Sequence, residues 1–84
     1  MRRSIDDHPA TAADIPPGLE DDLAPVSWAV AISDDYDDAT PRIVLTVEEV
    51  GRAGAGLVTH LSPTIARRLR VALADALKEI GEPT

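Results

Sequence analysis

The chain contains no cysteine, which excludes a disulfide framework and any thiolate chemistry. It also lacks phenylalanine, and Trp28 and Tyr36 are its only aromatic residues. Aromatic side chains contribute the most area to a small core, so any core here is built from Val, Ile, Leu and Ala. No apolar run approaches the roughly 20 residues that span a bilayer. The basic start, Arg2 and Arg3, is followed by no apolar stretch of the secretory kind. A cytoplasmic protein is the expectation.

What is present is acidic. Fifteen acids against eight bases give a net charge of −7 across 84 residues. That balance argues against broad binding to nucleic acid or anionic membranes. A domain this short buries a smaller fraction of its surface than a larger domain does, and gains from a partner. A homodimer is therefore expected from size and composition.

Residues 1–24 read as a flexible, acidic and proline-containing tail, and residues 25–84 as a single domain. The tail offers few sizeable apolar groups besides Ile5, Ile15, Leu19 and Leu23, too few to offset chain entropy. Gly18 to Leu23 has the makings of one helical turn. Val26 to Ser33 alternates Val26, Trp28, Val30 and Ile32 with smaller residues, the period of a strand. Arg42 to Val50 is a second strand, with Ile43, Leu45 and Val47 on one side. Gly51 to Gly56 is a turn, and Leu57 to Leu61 is a third strand.

The helix is legible end to end. Ser62 is a good N-cap, and Pro63 suits the first helical position. Gly81 fits a left-handed C-terminal cap, with Pro83 beyond it. At 100° per residue, Ile65, Ala66, Leu69, Ala72, Leu73, Ala76, Leu77 and Ile80 form one stripe. The expected class is α+β: a three-stranded antiparallel meander with one C-terminal amphipathic helix packed on one face, in the order βββα, behind a disordered tail. The helix stripe is expected to meet the face carrying Trp28, Val30, Ile32, Ile43, Leu45, Val47, Leu57 and Leu61. The other face carries Ala29, Ala31, Val44, Thr46 and Val58, flat and weakly polar, and is the candidate dimer interface.

Three stretches invite chemistry. Asp34, Asp35, Asp37 and Asp38 form an acidic connection, but the central Gly and distal Glu of a calcium loop are missing. They read as a solvated hairpin tip that is also available to a basic partner. Gly51, Gly54 and Gly56 spell G-x-x-G-x-G, yet they join strand to strand, whereas a phosphate cradle opens into a helix. His60 and Ser62 stand two apart on a strand, roughly 7 Å from each other, beyond hydrogen-bond reach. His8 has no companion at metal-ligand spacing. No catalytic residue, metal site or cofactor is expected, and the chain reads as no enzyme. Arg67, Arg68 and Arg70 lie toward the helix N-terminus and Glu79 and Glu82 toward its C-terminus, against the helix dipole. A locally disfavoured arrangement of this kind points to a functional surface. With Val71, these arginines form a second candidate partner-binding surface.

Leu61-Ser62-Pro63-x-x-Ala66-Arg67-x-Leu69 resembles the helix start of small actinobacterial or actinophage βββα proteins, which bring no known activity. The composition, with seven Arg, one Lys, thirteen Ala and no Asn or Gln, is that of a GC-rich coding sequence. The βββα order also resembles double-stranded-RNA-binding domains and HicB-type antitoxins. The RNA binders present lysines at the helix start, where this chain has arginines alone. The resemblance to antitoxins implies an acidic dimer acting on a protein. The expected function is thus a non-enzymatic protein-interaction module, an inhibitor, antitoxin or regulatory subunit. The alternative is a nucleic-acid-binding regulator using Arg52, Arg67, Arg68 and Arg70.

Overall fold

The computed structural model describes residues 1–49 and 54–84. Four strands form one antiparallel sheet in chain order: β1 (Arg2–His8), β2 (Val26–Ser33), β3 (Arg42–Glu49) and β4 (Leu57–Leu61). A helix, α1 (Pro63–Glu79), follows. The central pair runs in unbroken register from Val26 opposite Glu49 to Ser33 opposite Arg42. The continuation of β3 into Val50, and Gly51, Arg52 and Ala53 of the following turn, lie outside the described residues.

The expected three strands are four. Residues 2–8 leave the expected tail and pair with β2, with a shift of register between Ser4 and Asp6. The sequence RRSIDDH carries no apolar alternation, and its side chains are exposed apart from the half-buried His8. An edge strand of this kind is recruited through its backbone groups, which cover the otherwise open donors and acceptors of β2. His8 adds one side-chain contact, its ring stacked on Trp28 with centroids 5.6 Å apart. Farther on, a turn at Leu19–Leu23 closes through the Leu23 N–H to the Leu19 carbonyl.

The register sorts the side chains. One face carries Trp28, Val30, Ile32, Ile43, Leu45, Val47 and Leu61; the other carries Ala29, Ala31, Val44, Thr46, Val58 and His60. Burial is scarce. Among the described residues, Val44 at 1% exposure and Ala31 at 9% are the only buried apolar side chains. Both belong to the row Ser4–Ala31–Val44–His60 that crosses all four strands.

The helix ends form as their residues dictate. The Ser62 hydroxyl accepts the Ile65 N–H at 3.3 Å. Gly81 takes φ +80°, its N–H reaching the Lys78 carbonyl and the Glu82 N–H the Leu77 carbonyl, the paired bonds of a Schellman cap. Gly56 is needed for a different reason: a Cβ there would lie 3.0 Å from the Val47 carbonyl oxygen and press on the Glu48 side chain. This close approach lets β4 enter beside β3.

The apolar stripe faces the expected side of the sheet, but across an open cleft and not in close contact. No helical residue is fully buried, and only Ala66 and Ala74 are half-buried. Ala66 lies within the stripe, and Ala74 lies about 120° around the helix from the centre of its Leu and Ile residues. The small side chains of Ala66 and Ala74 make the approach, while Ile65, Leu69, Leu73 and Ile80 stand 49%, 41%, 60% and 73% exposed. The radius of gyration is 15.1 Å, against about 12 Å for a compact chain of this length.

Because α1 leans so little on the sheet, its caps are expected to matter to its existence. Ser62→Ala and Gly81→Ala are each expected to cost about 1 kcal/mol. For a domain of this size that is roughly 4–8 °C in Tm, with loss of helical signal at 222 nm as the check. A substitution that leaves both unchanged would show the cap to be ornamental.

Candidate functional site

Two regions gather side chains beyond what the sheet requires. The first is the connection between β2 and β3. Ser33 is buried, and its hydroxyl accepts the Asp35 N–H at 3.2 Å, which starts the turn. The Ala39 N–H bonds to the Tyr36 carbonyl at 2.9 Å, and Ala39 takes φ +52°, a left-handed conformation unusual for a residue with a Cβ. Asp38 then accepts the Thr40 N–H at 3.0 Å and two Arg42 guanidinium bonds at 3.0 and 2.7 Å. The fork geometry of arginine matches a carboxylate in this way.

The Arg42 guanidinium lies 4.7 Å from the Tyr36 ring centroid, a cation–π arrangement. Tyr36 in turn reaches β4, its hydroxyl 2.6 Å from His60 Nδ1 and the two rings nearly perpendicular. Asp38, Arg42, Tyr36 and His60 thus form one chain of contacts from the loop tip to the edge strand. On the β2 side, the Met1 amino group pairs with Asp34 and, at 2.6 Å, with Asp35.

These partners set the electrostatics. The Arg42 guanidinium, helped by the Thr40 N–H, holds the Asp38 carboxyl well below the usual carboxylate range. Asp38 reciprocally raises Arg42. The Met1 ammonium lowers Asp34, and Asp34 followed by Asp35 raises the Met1 amine. Of the four loop acids expected to face a partner, Asp34, Asp35 and Asp38 therefore carry intramolecular cations. Asp37 makes no ion pair with any described residue.

The second region is a cleft of about 380 Å³ between α1 and the sheet. Val30, Ile43, Leu45 and Leu61 line it from the sheet, and Leu69, Leu73 and Leu77 from the helix, with Arg70 and Thr84 at its margin. It has room for about a dozen waters at ~30 Å³ each, yet its lining offers them almost nothing to hydrogen-bond.

The expected sites fall into place unevenly. Val44 and Ala31 of the candidate dimer face are already buried within the protomer, Ala29 and Thr46 are half-buried, and Val58 stands 54% exposed. Arg67, Arg68, Arg70 and Val71 are exposed, and the three arginines form no ion pair with another described residue. Their expected companion Arg52 lies outside the described residues. Ser62 caps the helix and His60 holds Tyr36, so the two are not brought together. His8 pairs with Asp14 at 2.7 Å. Among the described residues, no three His, Asp or Glu side chains converge as metal ligands, and no helix is long and apolar enough to cross a membrane.

Two features escape a reading of the chain alone. The Tyr36–His60 pair joins residues 24 apart in sequence, and no motif announces it. The open cleft has a partial signal: a stripe of eight Ala, Leu and Ile residues is wide for a helix that leans on so narrow a sheet. No family model, curated protein or solved structure matches this chain.

The Asp38 carboxyl provides a direct test of the loop. Its folded-state pKa is depressed, so its contribution to stability is present above the ordinary value near ~3.9 and is lost as pH falls toward the folded value. Carboxyl-carbon chemical shifts are expected to show a titration midpoint well below ~3.9, returning toward it in Arg42→Gln. A midpoint that Arg42→Gln leaves unmoved would show that the fork does not exist in solution.

Proposed function

We propose that the chain is a cytoplasmic, non-enzymatic protein-interaction module that works as a homodimer on a protein partner, as an inhibitor, antitoxin or regulatory subunit. One observation carries this reading: the apolar surface left in water. The accessible surface is 6512 Å², whereas a folded monomer of 8.9 kDa is expected to expose about 4,800 Å². Part of the excess belongs to the irregular segment between β1 and β2. Much of the rest is Leu and Ile on α1 and on the sheet face beneath it. Contiguous apolar surface of that kind marks association in small proteins.

The acidic balance supports a protein partner over a polyanion. Arg67 and Val71, exposed, lie on the face of α1 turned from the stripe and are the residues assigned to that partner, with Arg68 at the edge of that face. The same free arginines favour a second reading, in which a nucleic acid is bound.

Two measurements decide between them. Affinity capture from a GC-rich host is expected to return a specific protein with the native chain and to lose it with Arg67→Glu/Val71→Glu. A gel shift at low salt is expected to show no nucleic-acid complex. A shift that weakens with salt and vanishes in Arg67→Ala/Arg68→Ala would establish the second reading in its place.

A further inference from the structure

The cleft and the exposed stripe are continuous along α1, and two properties of that surface identify what covers it. The first is quantity. A stable interface takes about 800 Å² from each partner, and the chain exposes roughly 1,700 Å² more than a compact monomer of its mass. The excess accommodates such an interface even after the irregular N-terminal segment takes a share. Ile65 and Ile80 project beyond the cleft, Leu73 stands 60% exposed in its helix wall, and Val30, Ile43 and Leu45 line its floor. Projection and hollow on one surface are the requirement for an isologous contact, in which each copy fills the other.

The second property is charge order. Arg68, Asp75 and Glu79 share the flank of α1 beside the stripe, at about 300°, 280° and 320° from Ile65 on the helical wheel. The base comes first and the acids follow, which the helix dipole of a lone helix disfavours. Place a second α1 antiparallel across a two-fold axis near Leu73, and Arg68 of each copy lies between Asp75 and Glu79 of the other. The charge order that opposes the dipole within one helix is therefore complementary between two.

We infer that two copies associate through α1 packed antiparallel on α1, with Leu69, Leu73 and Ile80 of each seated over the other's cleft and Arg68 paired to the partner's acidic flank. This rests on the homodimer reading and deepens it, moving the interface from the sheet face of Val58 to the helix and the cleft beneath it. The opposite sheet face and the outer side of α1 with Arg67 and Val71 are left for the protein partner.

Sedimentation across a range of concentrations tests the assignment. The native chain is expected to reach twice 8.9 kDa. Leu73→Asp is expected to raise the dimer Kd at least about thirtyfold, the loss of a central anchor. Arg68→Glu is expected to raise it several-fold, and Arg68→Glu/Glu79→Arg to restore it, while Val58→Asp leaves it unchanged. Arg68 and Glu79 are three helical turns apart, so the rescue reports contact between copies. Should Leu73→Asp fail to fold, the Arg68→Glu pair of measurements decides alone. A dimer weakened by Val58→Asp and indifferent to Arg68→Glu overturns the helix interface and keeps the homodimer. A monomer at every concentration overturns both.

Discussion

The structure depends on the backbone ladder between β2 and β3, eight residue pairs in continuous register. In most domains such a ladder is backed by a core that removes its side chains from water. Here two apolar side chains are buried among the described residues, so hydrogen bonding organises the chain while hydrophobic burial remains largely unrealised. The net gain per backbone hydrogen bond is about 1 kcal/mol, and it must offset ~1–2 kcal/mol of backbone entropy per residue ordered. A ladder alone leaves little margin. Association is the available way for this sequence to remove more apolar surface from water.

The same scarcity explains the attachments around the sheet. β1 brings no apolar face and is held by its backbone, by the His8–Trp28 stack and by the Met1 amine near Asp34 and Asp35. The connection from β2 to β3 is ordered by polar contacts, with Arg42 shared between the Asp38 carboxylate and the Tyr36 ring. Tyr36 then ties the loop to His60 on β4, in the same row as Val44. These contacts are exposed and individually weak. Together they close one end of the sheet and consume charges that a reading of the loop as a bare acidic tip leaves available.

The helix shows how local and tertiary preferences separate. Its ends obey local chemistry completely: Ser62, Pro63 and Gly81 place the caps where their backbone and side-chain preferences demand. Its rotation about its own axis obeys packing instead. The short step from Leu61 through Ser62 starts the helix beside β4, and Ala66 and Ala74 are its only half-buried residues. Leu69, Leu73 and Leu77 face the sheet across the open cleft. Position along the chain and position against the sheet are thus set by different residues.

Alternation of large and small apolar residues was enough to define β2, most of β3, and β4, and capping residues were enough to define α1. Those signals act over a few residues and need no partner in space. β1 was illegible because an edge strand held by main-chain bonds imposes no pattern on its side chains. The Tyr36–His60 contact and the intramolecular partners of Asp34, Asp35 and Asp38 were illegible because they join segments far apart in sequence. By itself the sequence determined which segments extend, where the helix begins and ends, and how little material a core would have. Only the tertiary structure decided how far the helix stands from the sheet, since that depends on how closely two backbones approach, and no periodicity records that distance.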